Sequence, residues 1–209
     1  MVTKVAKKPR KSPTQARSQA TVQVILEATI QVLVTQGAAY LTTARIAERA
    51  GVSVGSIYQY YPNKQALLLA VLNQHLEKII QAIESVCDEL NGQPLEAIGC
   101  GITSAFVAVK MERPDVSRAL YMLPSDEESD AIVTRANERG KQAIANLLRH
   151  CSDARFEEPD LAAAIFTGAM VGPVQMMLTG AMPIERQDDF TAHLIQLGIG
   201  YLRQVSVLR

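Results

Sequence analysis

Between Thr43 and Lys64 the chain reads TARIAERAGVSVGSIYQYYPNK, and this stretch constrains the fold more than any other. Ile46, Ala47 and Ala50 recur at three- and four-residue spacing, which puts them on one face of a short helix. Gly51 follows, a residue that takes positive φ at no steric cost, as a sharp turn between helices requires. Val52 suits the angle between the two helices, and the Ser53 hydroxyl suits the cap of the second. In that second helix Ile57 faces back toward Ala47, where a larger side chain would hold the helices apart. The outward positions Ser56, Gln59 and Tyr60 are neutral hydrogen-bonding groups, and no acid lies between Arg49 and Lys64. This is the pattern of a helix-turn-helix, which places its second helix in the major groove of DNA.

The charge distribution points the same way. Formal net charge over the 209 residues is zero, but residues 1–64 hold nine Lys or Arg against two acids, Glu27 and Glu48. That is +7 at one end and, by difference, −7 over the remainder. A basic head on an acidic body is the footprint of a chain that meets phosphate at one end only. Apolar residues at 48% and charged residues at 20% fit an ordinary well-cored globular protein. Cys87, Cys100 and Cys151 are too few and too widely spaced for a disulfide framework or a zinc pattern, and they suit a reducing cytoplasm. The basic start is not followed by a signal-type apolar run, so the expected location is cytoplasmic. Residues 161–184 carry no charge, yet their flanks are predominantly acidic and hold no Trp. They read as a helix buried in a protein interface, with no membrane partner.

The punctuation describes an all-α chain. Residues 1–17, rich in Lys, Arg, Pro and Ser, read as a disordered basic arm. A first helix is expected over Ser18–Gln36, with Gly37 ending it. After the motif, Asn63 caps a long helix to about Leu90, with no linker near Leu67–Val71 to interrupt its helical period. Five more helices follow: Leu95–Met111, Pro114–Leu123, one opened by a Ser125/Glu128 capping box and running to Cys151, one from Pro159, and a last over Ile184–Val207. No alternating β pattern competes. The expected division is a helix-turn-helix domain over 18–64 and a ligand-binding and dimerisation domain over 65–209.

From about Ser18 to Leu69 the chain resembles the DNA-binding domain of the TetR family of bacterial transcriptional regulators. The resemblance rests on a leading amphipathic helix, Thr-Thr-Ala-Arg-Ile-Ala, Ala-Gly-Val-Ser, Ile-Tyr-Gln-Tyr-Tyr, and the Asn-Lys opening a long fourth helix. It implies a homodimer on a palindromic double-stranded operator, acting as a repressor that a small-molecule effector releases. Thr43, at a helix start, suits a phosphate oxygen. Ser53, Tyr58, Tyr60 and Lys64 resemble the family's other backbone-contacting positions. Val54, Gly55, Ser56 and Gln59 correspond to the face that approaches bases, with Gln59 suited to adenine and Val54 to a thymine methyl.

The resemblance also implies a pocket in the carboxy-terminal domain. His75, Phe106, Met111, Tyr121, Met122 and Met170 are the lining that a mostly apolar effector would use. For the dimer, the last two helices supply small residues for close approach and Phe166, Met170, Met176, Leu194, Leu197 and Tyr201 as apolar bulk. No catalytic, metal or cofactor site emerges. His150-Cys151 are adjacent and diverge on a helix, and His75, His150 and His193 lack ligand spacing. The alternatives are a thiol-redox regulator working through Cys87 and Cys151, and a protein-interaction module that keeps the fold.

Overall fold

Helix α1, Pro13–Gln36, opens the computed structural model, which describes residues 13–182 and 187–208, with side chains over 18–182 and 189–207. The helix starts at Pro13 rather than Ser18, because the fixed φ and missing N–H of proline suit the first helical position. Residues 13–17 of the expected arm are therefore helical; residues 1–12 lie outside the described residues. Ile25, Leu26, Ala28, Val32 and Leu33 are buried, and the buried Thr29 hydroxyl donates back to the Ile25 carbonyl at 2.8 Å. Helix α2 (Thr43–Ala50) and the five-residue α3 (Val54–Tyr58) follow, and α4 runs unbroken over Lys64–Glu89. The chain divides into two compact units, Met1–Leu68 and Leu69–Arg209, so the boundary falls inside α4.

The second unit is built from the rest of α4 with α5 (Leu95–Glu112), α6 (Pro114–Tyr121), α7 (Glu127–Arg149), α8 (Pro159–Thr179) and α9 (Gln187–Gln204). Its core gathers Ile79 and Ile83 of α4, Ile98, Ile102 and Phe106 of α5, Ile144 and Leu148 of α7, Phe166, Met170 and Val174 of α8, and Ile199 and Leu202 of α9. Helices α8 and α9 approach so closely that a Cβ on Gly198 would lie 2.5 Å from Phe166 Cε2. Asp153 Oδ1 accepts from the Leu95 N–H at 2.8 Å, satisfying a helix-start donor from far along the chain.

Several boundaries differ from expectation. Helix α6 stops at Tyr121, α7 at Arg149, and the described part of α9 spans Gln187–Gln204; the expected start at Ile184 lies outside the described residues. The capping box on α7 is Asp126 with Ser129, each side chain bonded to the other's backbone N–H (2.8 and 2.9 Å), not Ser125 with Glu128. The Ser125 hydroxyl is instead drawn to the Asp130 carboxylate. A short antiparallel ribbon also forms, β1 (Ala154–Phe156) pairing β2 (Ser206–Leu208) with Arg155 opposite Val207. Ala154 and Phe156 are buried and Arg155 is exposed, but three residues are too few for the alternation to stand out in sequence. The fold class is all-α, with an amino-terminal helix-turn-helix domain and a carboxy-terminal helical domain.

Candidate nucleic-acid interface

The turn between α2 and α3 is closed by two backbone hydrogen bonds. Gly51 stands in the left-handed region (φ 65, ψ 32); its N–H donates to the Glu48 carbonyl at 3.3 Å, and the Val52 N–H donates to the Ala47 carbonyl at 3.1 Å. This is a Schellman stop, and it aims α3 at a fixed angle. The Thr42 Oγ1 caps α2 by accepting from the Arg45 N–H at 3.2 Å, leaving Thr43 as the first helical residue. The Ser53 Oγ caps α3 by accepting from the Ser56 N–H at 3.0 Å. Ile46, Ala47 and Ile57 are buried behind the turn. Arg49 Nε donates to Gln31 Oε1 at 2.6 Å and ties α2 to α1, while Arg45 Nη1 is occupied by the Tyr40 carbonyl at 2.9 Å.

With its core face fixed, the rest of the motif is presented outward. Val54, Gly55, Tyr58, Gln59 and Tyr60 are exposed, Tyr58 at 52%. Its hydroxyl lies 3.4 Å from Thr43 Oγ1, and the Ser18 hydroxyl donates to Tyr60 OH at 3.2 Å. Thus Thr43, Tyr58 and Tyr60 form a hydroxyl-bearing flank beside the α3 surface. Ser56 is half-buried and its Oγ is 2.8 Å from Ser53 Oγ, so it is less free than Gln59 to meet a base. The exposed Lys64 is the first residue of α4, where Asn63 Oδ1 accepts the Ala66 N–H at 2.8 Å. A cation at a helix start opposes the macrodipole, at a cost of about 0.3–1 kcal/mol, which a docked phosphate would reverse.

In the second unit the expected pocket residues separate. Phe106 and Met170 are buried, His75, Met111 and Tyr121 are half-buried, and Met122 is 66% exposed. Met122 is the residue just beyond α6, so it leaves the lining. His75 Nε2 lies 3.3 Å from Ser117 Oγ, which itself donates to the Lys110 carbonyl at 3.0 Å; His75 therefore carries its hydrogen on Nε2. Burial first, then Lys110 and Lys78, hold His75 down at about 4. Burial likewise pushes the Tyr121 phenol up to about 12. Sequence reading missed Lys110, 5% exposed, with its ammonium 4.5 Å from the Tyr121 ring centroid and 6.0 Å from that of Phe106. A lysine near the end of an amphipathic helix carries no sequence signal that it points inward.

The expected dimer residues divide as well. Phe166, Met170 and Leu194 are buried within the subunit and offer nothing to a partner. The spacing of apolar residues on α8 could not distinguish its two faces, because both are apolar. Its outer face is Leu161, Ile165, Gly168, Gly172 and Met176, with Leu161, Ile165 and Met176 about half exposed at 52%, 46% and 48%. Leu197 of α9 is 51% exposed and Tyr201 is half-buried. A Cβ built on Gly168, Gly172 or Gly200 would meet nothing within 4 Å, so bare backbone lies between these apolar side chains.

Residues 25–71 match the model for bacterial regulatory proteins of the tetR family. Residues 94–202, more than half the chain, match the model for the tetracyclin repressor-like C-terminal domain. The chain belongs to the TetR family. It is a helix-turn-helix transcriptional regulator of that family. A curated relative, the uncharacterised HTH-type transcriptional regulator YvkB of Bacillus subtilis, is 47% identical over 51 residues, spanning 24% of this chain and 27% of that protein. The chain thus aligns with only about a quarter of that relative's length. Among solved structures, a TetR-family transcriptional regulator from Mesorhizobium loti superposes with a TM-score of 0.77 at 18% identity, over 91% of this chain and 98% of that one. SmeT, described as the repressor of the Stenotrophomonas maltophilia multidrug efflux pump SmeDEF, does so with 0.67 at 21% identity, over 91% and 92%. At these identities the solved structures share the fold with this TetR-family chain.

In this TetR-family regulator the two thiols expected to respond to oxidation, Cys87 and Cys151, do not suit redox sensing. Cys87 is buried, and burial, with Asp88 and Glu84, pushes its thiol up to about 12. Cys151 is buried and raised too, chiefly by burial, and its Sγ donates to Asp153 Oδ1 at 3.2 Å. Thiols held protonated are poor nucleophiles toward oxidants. The two cysteines singled out for oxidation are therefore structural.

Proposed function

We propose that the chain is a homodimeric repressor that sets Val54–Tyr60 of each subunit in successive major grooves of a palindromic operator and leaves it when a small molecule binds the helical body. The observation that carries this reading is the surface of α3 and the turn after it: Ile57 is fully buried, while Val54 and Tyr58 of the helix and Gln59 and Tyr60 just beyond its end stand exposed on an acid-free stretch flanked by Arg49 and Lys64. Thr43, Ser53, Tyr58, Tyr60 and Lys64 would hold backbone phosphates, and Val54, Gly55, Ser56 and Gln59 would face base edges. The outer stripe Leu161–Ile165–Met176 with Leu197 would pair with its symmetry mate, the glycines allowing helices to approach closely.

Release requires the effector to prefer the conformation that does not bind DNA, since tight binding alone shifts nothing. Helix α4, unbroken from Lys64 to Glu89, is the covalent route by which a change in the body reaches the reading head. SmeT, a fold neighbour, is described as a repressor and was also solved with triclosan, which supports an effector-responsive reading. Selection of bound duplexes from a random pool, followed by anisotropy titrations across salt, tests the proposal. The expected result is a palindrome with half-sites about 34–36 Å apart and an affinity falling steeply with salt. A pool that shows no enrichment would overturn it.

A further inference from the structure

Lys110, near the end of α5, is a buried cation that the fold itself does not explain. Lysine is almost never fully buried without a partner. The acids nearest to it in sequence are already engaged: Glu112 Oε2 lies 2.5 Å from Lys78 Nζ, and both Asp115 oxygens accept from Arg113 at 3.1 and 2.9 Å. Among the described residues, the Lys110 ammonium has ring faces for company, with no carboxylate and no hydrogen-bond acceptor. The helix dipole at the end of α5 favours it, but a dipole is a fraction of a charge.

The polar and aromatic groups tied to Lys110 by hydrogen bonds and ring contacts come from three helices. From α4 comes His75, whose Nε2–H is committed to Ser117; from α5, Phe106; from α6, Ser117, committed to the Lys110 carbonyl, and Tyr121. The Tyr121 hydroxyl, like the ammonium, has no protein acceptor among the described residues. No sealed side-chain nitrogen or oxygen lacks a partner among them, so both atoms face space that a water or ligand atom reaches. Two uncommitted donors beside aromatic walls, with no acid present, are the complement of an anion with an apolar body.

We infer that Lys110 and the Tyr121 hydroxyl bind the carboxylate of an organic acid, whose apolar part rests against Phe106 and Tyr121. This rests on the effector-responsive reading above and specifies its ligand as an organic monoanion. One lysine matches one negative charge; a phosphate dianion would leave a second charge uncompensated in an apolar setting. His75, neutral at pH 7 because it is held at about 4, adds no second cation, and Lys78 is already paired with Glu112. Lys110 itself is lowered by burial to about 8, so it is charged at pH 7 and loses its proton well before an ordinary lysine.

The test is calorimetry on the full-length protein with two matched pairs, octanoate against octanol and benzoate against benzyl alcohol, at pH 7 and pH 9.5. Wild type should prefer the acid of at least one pair by about 10- to 100-fold, the worth of a charge-assisted hydrogen bond. Lys110→Met should bring that ratio to about one, with Lys110→Gln as a second neutral variant, and raising the pH should weaken the acid but not the alcohol. Tyr121→Phe should cost the acid about 10-fold, because a hydroxyl that donates to a carboxylate also makes a charge-assisted bond. Unliganded Lys110→Met should melt no lower than wild type, because it removes an unpaired buried charge; a lysine kept for stability would give the opposite. A preference that survives Lys110→Met, equal binding of acid and alcohol to wild type, or no binding of any probe would overturn the inference. Operator affinity without probe should be the same in Lys110→Met. Wild type that fails to bind duplex DNA would instead count against the regulatory reading, whatever the calorimetry shows.

Discussion

In the amino-terminal unit, the caps and the turn that set the motif act on neighbours a few positions away, with Arg49–Gln31 as a longer tie; in the body, many of the deciding partners lie tens of residues apart. Thr42 caps through Arg45, Ser53 through Ser56 and Asn63 through Ala66, each three residues on, and Gly51 closes onto Glu48. In the body, Leu95 is held by Asp153, Arg139 clamps Glu77 and Glu84 at 2.7 and 2.9 Å, Arg203 reaches Glu96, and Gly198 makes room for Phe166. The caps and the turn of the head are therefore set within the head itself. A body built from distant contacts can change its lining residue by residue while the helices stay in place.

The largest effect that would test this contrast lies in the body's core. Phe166→Ala should destabilise the protein by about 3–5 kcal/mol in urea unfolding, as loss of a buried phenylalanine does. An equally large loss of dimer affinity at unchanged subunit stability would instead return Phe166 to the interface. Placing charge on the outer stripe with Met176→Glu and Leu197→Glu should yield folded monomers by sedimentation, with operator affinity falling accordingly. In the head, Gln59→Ala should reduce discrimination against the wrong base by about 1–3 kcal/mol. Lys64→Ala should weaken all sequences alike and lower the salt slope by about one. Equal losses on operator and random duplex for Gln59→Ala would remove it from the base-reading set.

A further test is a pH dependence confined to the body. His75 is held at about 4 in the folded chain against an ordinary 6.5, so the unfolded chain takes up its proton first as pH falls. The stability that neutral His75 contributes is complete above about pH 6.5 and drains away toward pH 4. Unfolding of His75→Gln should show a shallower loss over that window than wild type; identical slopes would show that the imidazole titrates freely.

The same contrast explains what could be read in advance. Gly51, Ser53, Asn63 and Ile57 carried their roles in their identity and spacing, because capping and positive φ are local chemistry. The helical class and the order of the helices were legible for the same reason. The two faces of α8 were not, because Phe166 and Ile165 are both apolar and only the packing of α8 against α6, α7 and α9 decides which is inside. The β1–β2 ribbon depends on a distant partner in the same way, and the inward turn of Lys110 and the outward turn of Met122 follow from the packing of α5 and α6, which their residue types do not announce. The choice of Asp126 over Ser125 as the α7 cap was a one-residue contest between two good capping groups.

The placement of Lys64 at the first turn of α4 has one more consequence. In the free protein that turn is electrostatically frustrated, so its amides should open and exchange more readily than those a few residues on. A phosphate seated there would relieve the conflict, and protection should spread from Lys64 toward Leu67 as DNA is added. Occupancy of the operator would then be written into the stiffness of the helix that both units share.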